Sequence, residues 1–460
     1  MEFRNFSFIF LVILLIGLMP NLNGEFLSKF QNRSIERENI ERNESRRIRK
    51  LEYDTYITLY FKEDCTYQTG FDNVYRGGIN FIRNTQNNEN FTSNETLIIN
   101  KNIAYEIHFN IKVTAFAYFF SRYIDENMIY LSSIDFSNFD SSQIYYMADL
   151  FSGCSSLESI DFTNFKTPLA TYMSSMFKDC SSLISIDLTN FDTSNVENMD
   201  LMFYNCSSLK VVNLGGIVIS QVSRMSSMFA YCSSLESVDL SNLDASSVSI
   251  LSDMFYQCSS LTSVDLTNFR ATSVTDLSDL FYGCSSLESI DLTSFQTSSL
   301  TKMNSMFSGC SELEYIDISH FDTFYVEDMS GLFLDCFSLK SINLFYWNMP
   351  NVVSMNYIFY NCISLKSIYI TFLDISSVTE INGMFYGCSS LKSITLMNVK
   401  ASSLQAMFNM FVGCNSLESI DLSNFYANSL NSSSYMFNEL SSVQYIYLTN
   451  FYAPLAINMD

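Results

Sequence analysis

Eleven cysteines, Cys154, Cys180, Cys206, Cys232, Cys258, Cys284, Cys310, Cys336, Cys362, Cys388 and Cys414, stand at an unbroken interval of 26 residues. Phenylalanine keeps the same interval at twelve positions from Phe151 to Phe437, and a leucine column runs from Leu131 to Leu417 with Val443 continuing it. About thirteen units therefore fill residues 128–460. A fixed period of this size means a stacked solenoid, in which each unit buries its apolar face only against its neighbours. The usual prior of about 100–200 residues per globular domain does not apply to such a chain.

One unit, Ser194 to Leu214, serves as a sample. Val196, Met199, Met202, Phe203 and Cys206 fall at successive offsets of three, three, one and three, the spacing of one face of a helix about three turns long. Ser194 and Glu197 match a capping box, and Gly, Asn or Asp precedes the Cys in most units, as expected where a chain turns left-handed. Leu209, Val212 and Leu214 then form a short strand whose second and third apolar positions point inward. Strands stack at about 4.8 Å and helices at roughly 10 Å, so such a column curves with its strands inside. The expected fold class is an α/β repeat solenoid: a leucine-rich-repeat-like curved array with parallel strands on the concave face, short helices on the convex face, and a β-rich N-terminal cap. Phe165, Phe191, Phe269, Phe295 and Phe321, with Trp347 in register, read as a second aromatic column inside the core.

The pattern M-F-x-G-C-S-S-L-x-S-I-D-L-S-N-F-D-T-S, clearest in Met176–Ser194 and varied in Met306–Ser319, resembles the 26-residue repeat of the BspA-like leucine-rich repeat surface proteins. The resemblance implies a secreted or cell-surface protein with adhesion or recognition roles and no known catalytic centre. It fixes core positions and carries over no binding residues. The chain places Asn one residue before the aromatic, as in Asn190 before Phe191, which points to a phenylalanine ladder in place of an asparagine ladder.

Ahead of the repeats, residues 1–24 read as an export signal: Arg4, an apolar run from Phe6 to Met19, then Pro20 and Gly24. A retained signal anchor is the competing reading, although about 20 apolar residues are needed to span a bilayer. Residues 25–50 form a charged linker ending in Arg46, Arg47, Arg49 and Lys50, and residues 51–127 alternate as short strands that cap the repeat array. With 25 Lys+Arg against 48 Asp+Glu the net charge is −23, which disfavours nucleic acid and anionic lipid as partners. Membrane attachment and oligomeric state are left open.

Four constellations bear on function. The cysteine column reads as buried free thiols, with isolated disulfides as the alternative and no His or CxxC spacing to suggest a metal. Asp239, Asp265, Asp291 and Asp317, part of a longer aspartate column, occupy the strand position between two inward residues and should project from the concave face. A solvated surface and a calcium site are both open there. Where that column breaks, between Asn343 and Thr395, Phe345, Tyr346 and Tyr369, with Tyr315 just before, take outward positions. They suit either a partner surface or local packing between strands. Sequons at Asn90 and Asn94 are the N-glycan acceptors to expect in a eukaryotic host.

No phosphate loop, HExxH or nucleophile elbow appears. No enzyme, metal or cofactor is therefore expected. The expected function is recognition or adhesion toward a protein or glycan at a cell surface, the alternative being a structural coat or matrix protein without a specific ligand.

Overall fold

A computed structural model describes residues 55–68, 79–92, 96–109, 113–122, 125–344 and 347–456. The expected signal (1–24) and charged linker (25–50) lie outside the described residues. Ahead of the repeats come β1 (Thr55–Phe61), β2 (Cys65–Gln68), β3 (Ile79–Asn84), β4 (Asn90–Phe91), β5 (Thr96–Ile99) and β6 (Tyr105–Phe109). Alternation in β1 puts Ile57, Leu59 and Phe61 into the core. This strand pairs antiparallel with β6 on one side and with β7 (Leu131–Asp135) on the other. Because β7 pairs parallel with β8 (Ser159–Asp161), the antiparallel sheet runs directly into the repeats.

From there the chain is a parallel β-solenoid of about twelve turns. Its strand wall comprises β7 and β8, then β9 (Ser185–Asp187), β10 (Val211–Asn213), β11 (Ser237–Asp239), β12 (Ser263–Asp265), β13 (Ser367–Thr371), β14 (Ser393–Met397), β15 (Ser419–Asp421) and β16 (Tyr445–Tyr447). Pairing is strictly in step with the 26-residue period, as in Val212 beside Ile186 and Ile394 beside Ile368. In β8, β9, β11 and β12 the middle residue is buried and its two neighbours are exposed.

The opposite wall differs from the expected α/β architecture. Among the described residues there is no α-helix, and the helical element is a single 3-10 turn, Glu126–Tyr130, before the first strand of the repeats. The segment expected as a helix is a run of turns. The residue before each Cys is left-handed as expected, for example Asn205 at φ 58° and Gly309 at 74°. A second left-handed residue stands four positions earlier, at Leu201, Ser227, Asp253, Asp279, Ser305 and Gly331, and it interrupts any helix. Nor is Ser194 a helix cap, since its hydroxyl donates to Asp192 Oδ1 at 2.6 Å.

Hydrogen bonding explains why turns replace a helix. Met199, Leu201, Phe203 and Asn205 donate their N–H groups to Arg224, Ser226, Met228 and Ala230 of the next turn, while Tyr204 and Cys206 donate to carbonyls three residues back. Alternate amides thus tie neighbouring units together, and every second amide closes a tight turn. Single-residue bridges run without a break from Ala115 to Ser432 along this wall.

Successive rings from Phe120 through Phe151, Phe177 and Phe203 to Phe437 stack at centroid distances of 5.3–6.0 Å with interplanar angles no larger than 17°. Packed helices, about 8–10 Å apart, cannot keep that spacing. Both walls are joined turn to turn by parallel backbone pairing, so the helix-sized spacing from which a curved array is expected does not apply.

The core holds the side chains that the period selects. Val196, Met199, Met202, Phe203, Cys206, Leu209 and Leu214 are all buried. Full burial of a side chain like Phe203 contributes about 2–3 kcal/mol. The second aromatic column is present too: Phe165 stacks on Phe191 at 5.5 Å, and Trp347, whose indole N–H donates to the Ile318 carbonyl, keeps its register. Each column thiol donates to the carbonyl of a phenylalanine in the preceding turn, as Cys206 Sγ does to Phe177 at 3.0 Å. All twelve cysteines are free, the eleven of the column are buried, and Cys65 is half-buried. Burial pushes the column thiols up, Cys414 to about 12.

Candidate functional site

The strand wall presents the repeated outward face that the sequence singled out, and its aspartates have a local task. In Asp239, Asp265, Asp291 and Asp317, Oδ1 accepts the backbone N–H two residues on, from Ser241, Thr267, Thr293 and Ser319, at 2.9–3.0 Å. Three of these carboxylates also accept the hydroxyl of that same residue at 2.6–2.7 Å. An Asx turn therefore closes β11 and β12 and recurs at the same register in the next two units, which accounts for the Asp-x-Ser/Thr spacing. The hydroxyl and amide donors hold Asp265 and Asp317 below the usual carboxylate range, and the Thr293 amide and hydroxyl do the same for Asp291. Among the described residues no group of three or more His, Cys, Asp or Glu is gathered closely enough to hold a metal ion.

The aromatic positions divide. Tyr315 is 54% exposed and Tyr369 68%, both on the strand wall, whereas Phe345, Tyr346 and Asn94 lie outside the described residues. Asn90 is exposed and its Oδ1 accepts from Arg83. Tyr369 stands in the aspartate register, opposite Thr395 on the next strand.

Two features were not singled out in the sequence. Phe372, which follows β13, is 79% exposed with φ 60°, a left-handed conformation costly for a bulky residue. Later units place Asn398, Asn424 and Asn450 at this position, and their amides bond one to the next at 2.9 and 3.0 Å. An asparagine ladder thus does form, at the surface and over these three units. The second feature is a lysine column, Lys340, Lys366 and Lys392, one residue before the strand and spaced by 26. The arithmetic that exposed the cysteines would have found it.

On the turn wall, a notch of about 400 Å³ opens where Gly383 and Asn409 separate Tyr357 from Tyr435. It is shallow and contains no titratable group besides those two tyrosines. Among the described residues no helix is long and apolar enough to cross a membrane.

Comparison with known proteins bears on the repeat itself. The family model described as "Mycoplasma protein of unknown function, DUF285" matches residues 112–214, 183–287, 206–313, 251–372 and 366–447. The chain belongs to this family. The DUF285 matches begin just ahead of the first turn and run along most of the solenoid, overlapping as expected for a periodic sequence. No curated protein matches the chain. Among solved structures it is similar to the crystal structure of the TLR13–ssRNA13 complex, at 13% identity, with 66% of this chain and 66% of that chain covered. The chain thus spans just under two thirds of that protein, and at a TM-score of 0.17 the likeness carries no argument about this DUF285 chain.

Proposed function

We propose that this chain is a secreted or cell-surface recognition module that binds a macromolecular partner through its strand wall. The carrying observation is the pair of outward tyrosines: Tyr315 and Tyr369 expose more than half of their surface on a wall whose outward positions before the last turn are mostly Ser, Asp, Asn or Thr, with Val211 the other large apolar one. Large exposed aromatics on a rigid frame are favourable anchors, because two torsions are all they lose on binding. A continuous ring stack and an inter-turn amide ladder make the frame rigid. The resemblance of the repeat to BspA-like leucine-rich repeat surface proteins supports the same reading. No catalytic role is proposed for any residue.

The test is saturable binding to a panel of cell-surface proteins and glycans, with Tyr315→Ser and Tyr369→Ser as paired variants. Recognition predicts a saturable partner whose affinity drops roughly tenfold or more on losing either tyrosine, with an unchanged melting temperature. Uniform weak adsorption to every surface, indifferent to both substitutions, would instead indicate a coat protein.

A further inference from the structure

The aspartate column and the lysine column are linked. The three consecutive units that lack an aspartate, with Asn343, Tyr369 and Thr395 in its place, are the units that carry Lys340, Lys366 and Lys392. At the lysine position five of the other ten units carry glutamate, Glu158, Glu236, Glu288, Glu314 and Glu418, and one further unit without the aspartate, that of Asn213, carries Lys210. In a chain of net charge −23, one stretch of the strand wall therefore reverses sign.

Backbone bonds fix the lysines on adjacent turns: Lys366 N–H donates to the Lys340 carbonyl at 3.4 Å, and Lys392 N–H to Lys366 at 2.9 Å. Neighbouring positions are then about 4.8 Å apart. Lys340 is neutralised by Glu314, 2.5 Å away, and lies 5.4 Å from the centre of the Tyr315 ring. That contact carries the column over the outward face of the preceding strand. Lys366 and Lys392 are exposed, each faces a lysine in the turn before it, and neither forms an ion pair among the described residues. Like charges side by side on paired strands destabilise a sheet. Phe372, strained and 79% exposed, is a second cost that internal packing does not offset. Tyr369, 68% exposed, lies in β13, three residues after Lys366.

We infer that Lys366 and Lys392, with Tyr369 and Phe372 beside them, bind a short carboxylated oligosaccharide. This rests on the recognition proposal and specifies its ligand class. The ammonium groups supply paired cations for sugar carboxylates. The aromatic rings supply flat faces for the apolar side of a pyranose, as they do for other ring-shaped ligands. A short ligand fits better than a long polyanion, because the acidic remainder of the molecule repels anything that extends past these turns. Glu314 and Glu418 bound the lysine run on the turns to either side, so the positive stretch spans three turns and charges beyond a Debye length of about 8 Å are screened.

The experiment uses the whole chain and isothermal titration with tetragalacturonate, its fully methyl-esterified form, and a tetraglutamate peptide. Expected are saturable binding of tetragalacturonate, roughly tenfold or greater weakening in Lys366→Gln/Lys392→Gln at a melting temperature that does not fall, and similar weakening in Tyr369→Ser. The ester and the peptide should bind at least tenfold more weakly. Equal binding of tetraglutamate, or of the ester, overturns the assignment, as does tetragalacturonate binding indifferent to the lysine pair. Absence of tetragalacturonate binding while a protein partner still binds in a Tyr369-dependent way overturns the glycan inference and leaves recognition standing. Absence of both removes the two together.

Discussion

The two long walls of the solenoid keep step by different means. On the turn wall, bridges pass unbroken from Ala115 to Ser432 and a ring stack follows the same course. The strand wall is divided into separate sheets, β7 with β8, β9 with β10, β11 with β12, and β13 through β16, most of them built from three-residue strands. The wall with the least regular secondary structure is thus the one that holds the register. A short strand with one inward side chain has little to lose by changing its outward residues, so the weaker wall is the one free to vary in charge and aromatic content.

The sharpest way to break this comparison is a matched pair of core truncations. Phe255→Ala on the turn wall should cost about 3–5 kcal/mol by chemical denaturation, since it opens a cavity inside the stack. Val264→Ala on the strand wall should cost about 1–2 kcal/mol, because fewer atoms leave and the site is 8% exposed. Equal costs would mean that the walls share the load.

A smaller effect is expected from Gly309→Ala. Its φ of 74° is strained for any residue with a Cβ, and the added carbon would meet Gly283 Cα at 3.3 Å. About 1–2 kcal/mol of stability should be lost.

Next comes pH. Burial, then Asp253, Asp276 and Asp328, push the Asp279 carboxyl up to about 6. In the unfolded chain it titrates near 4, so stability falls as pH rises from about 4 to about 6 and stays lower above that. Asp279→Asn, which tolerates the left-handed backbone, should flatten that slope in thermal melts and stabilise the protein at pH 7 by about 1 kcal/mol, allowing for solvent screening. The strand-wall aspartates act oppositely, since Asp265 and Asp317 are held low and their contribution is lost only below about pH 4. The least expected change is in thiol labelling: the buried column should stay unreactive toward a neutral-pH reagent until the chain unfolds, when nearly all twelve cysteines should count. Rapid labelling of the folded chain would show that the stack opens.

Much of this was legible in residues alone. The period named the inward set from Val196 to Leu214 and the parallel register of Val212 on Ile186. It did not distinguish a helix from a run of turns, because offsets of three and four bring side chains to one face in both. The discriminating signal was small and polar: Asp253, Asp279, Ser305, Gly331 and Asn409 recur four residues before the residue that precedes the Cys, where a left-handed turn favours such types. At the candidate surface, Tyr315 and Tyr369 stand outward as their register required. Phe372 escaped notice because its cost lies in a backbone angle that composition does not encode.

The ring stack also bears on how such a gene can change. Gain or loss of one whole unit leaves every phenylalanine above another, while an insertion of any other length shears the column at that point. Unequal recombination between repeats of equal length yields the first kind of change and seldom the second. Lineages of this chain should therefore differ in reach by whole steps, each adding or removing a turn without disturbing the surfaces on either side.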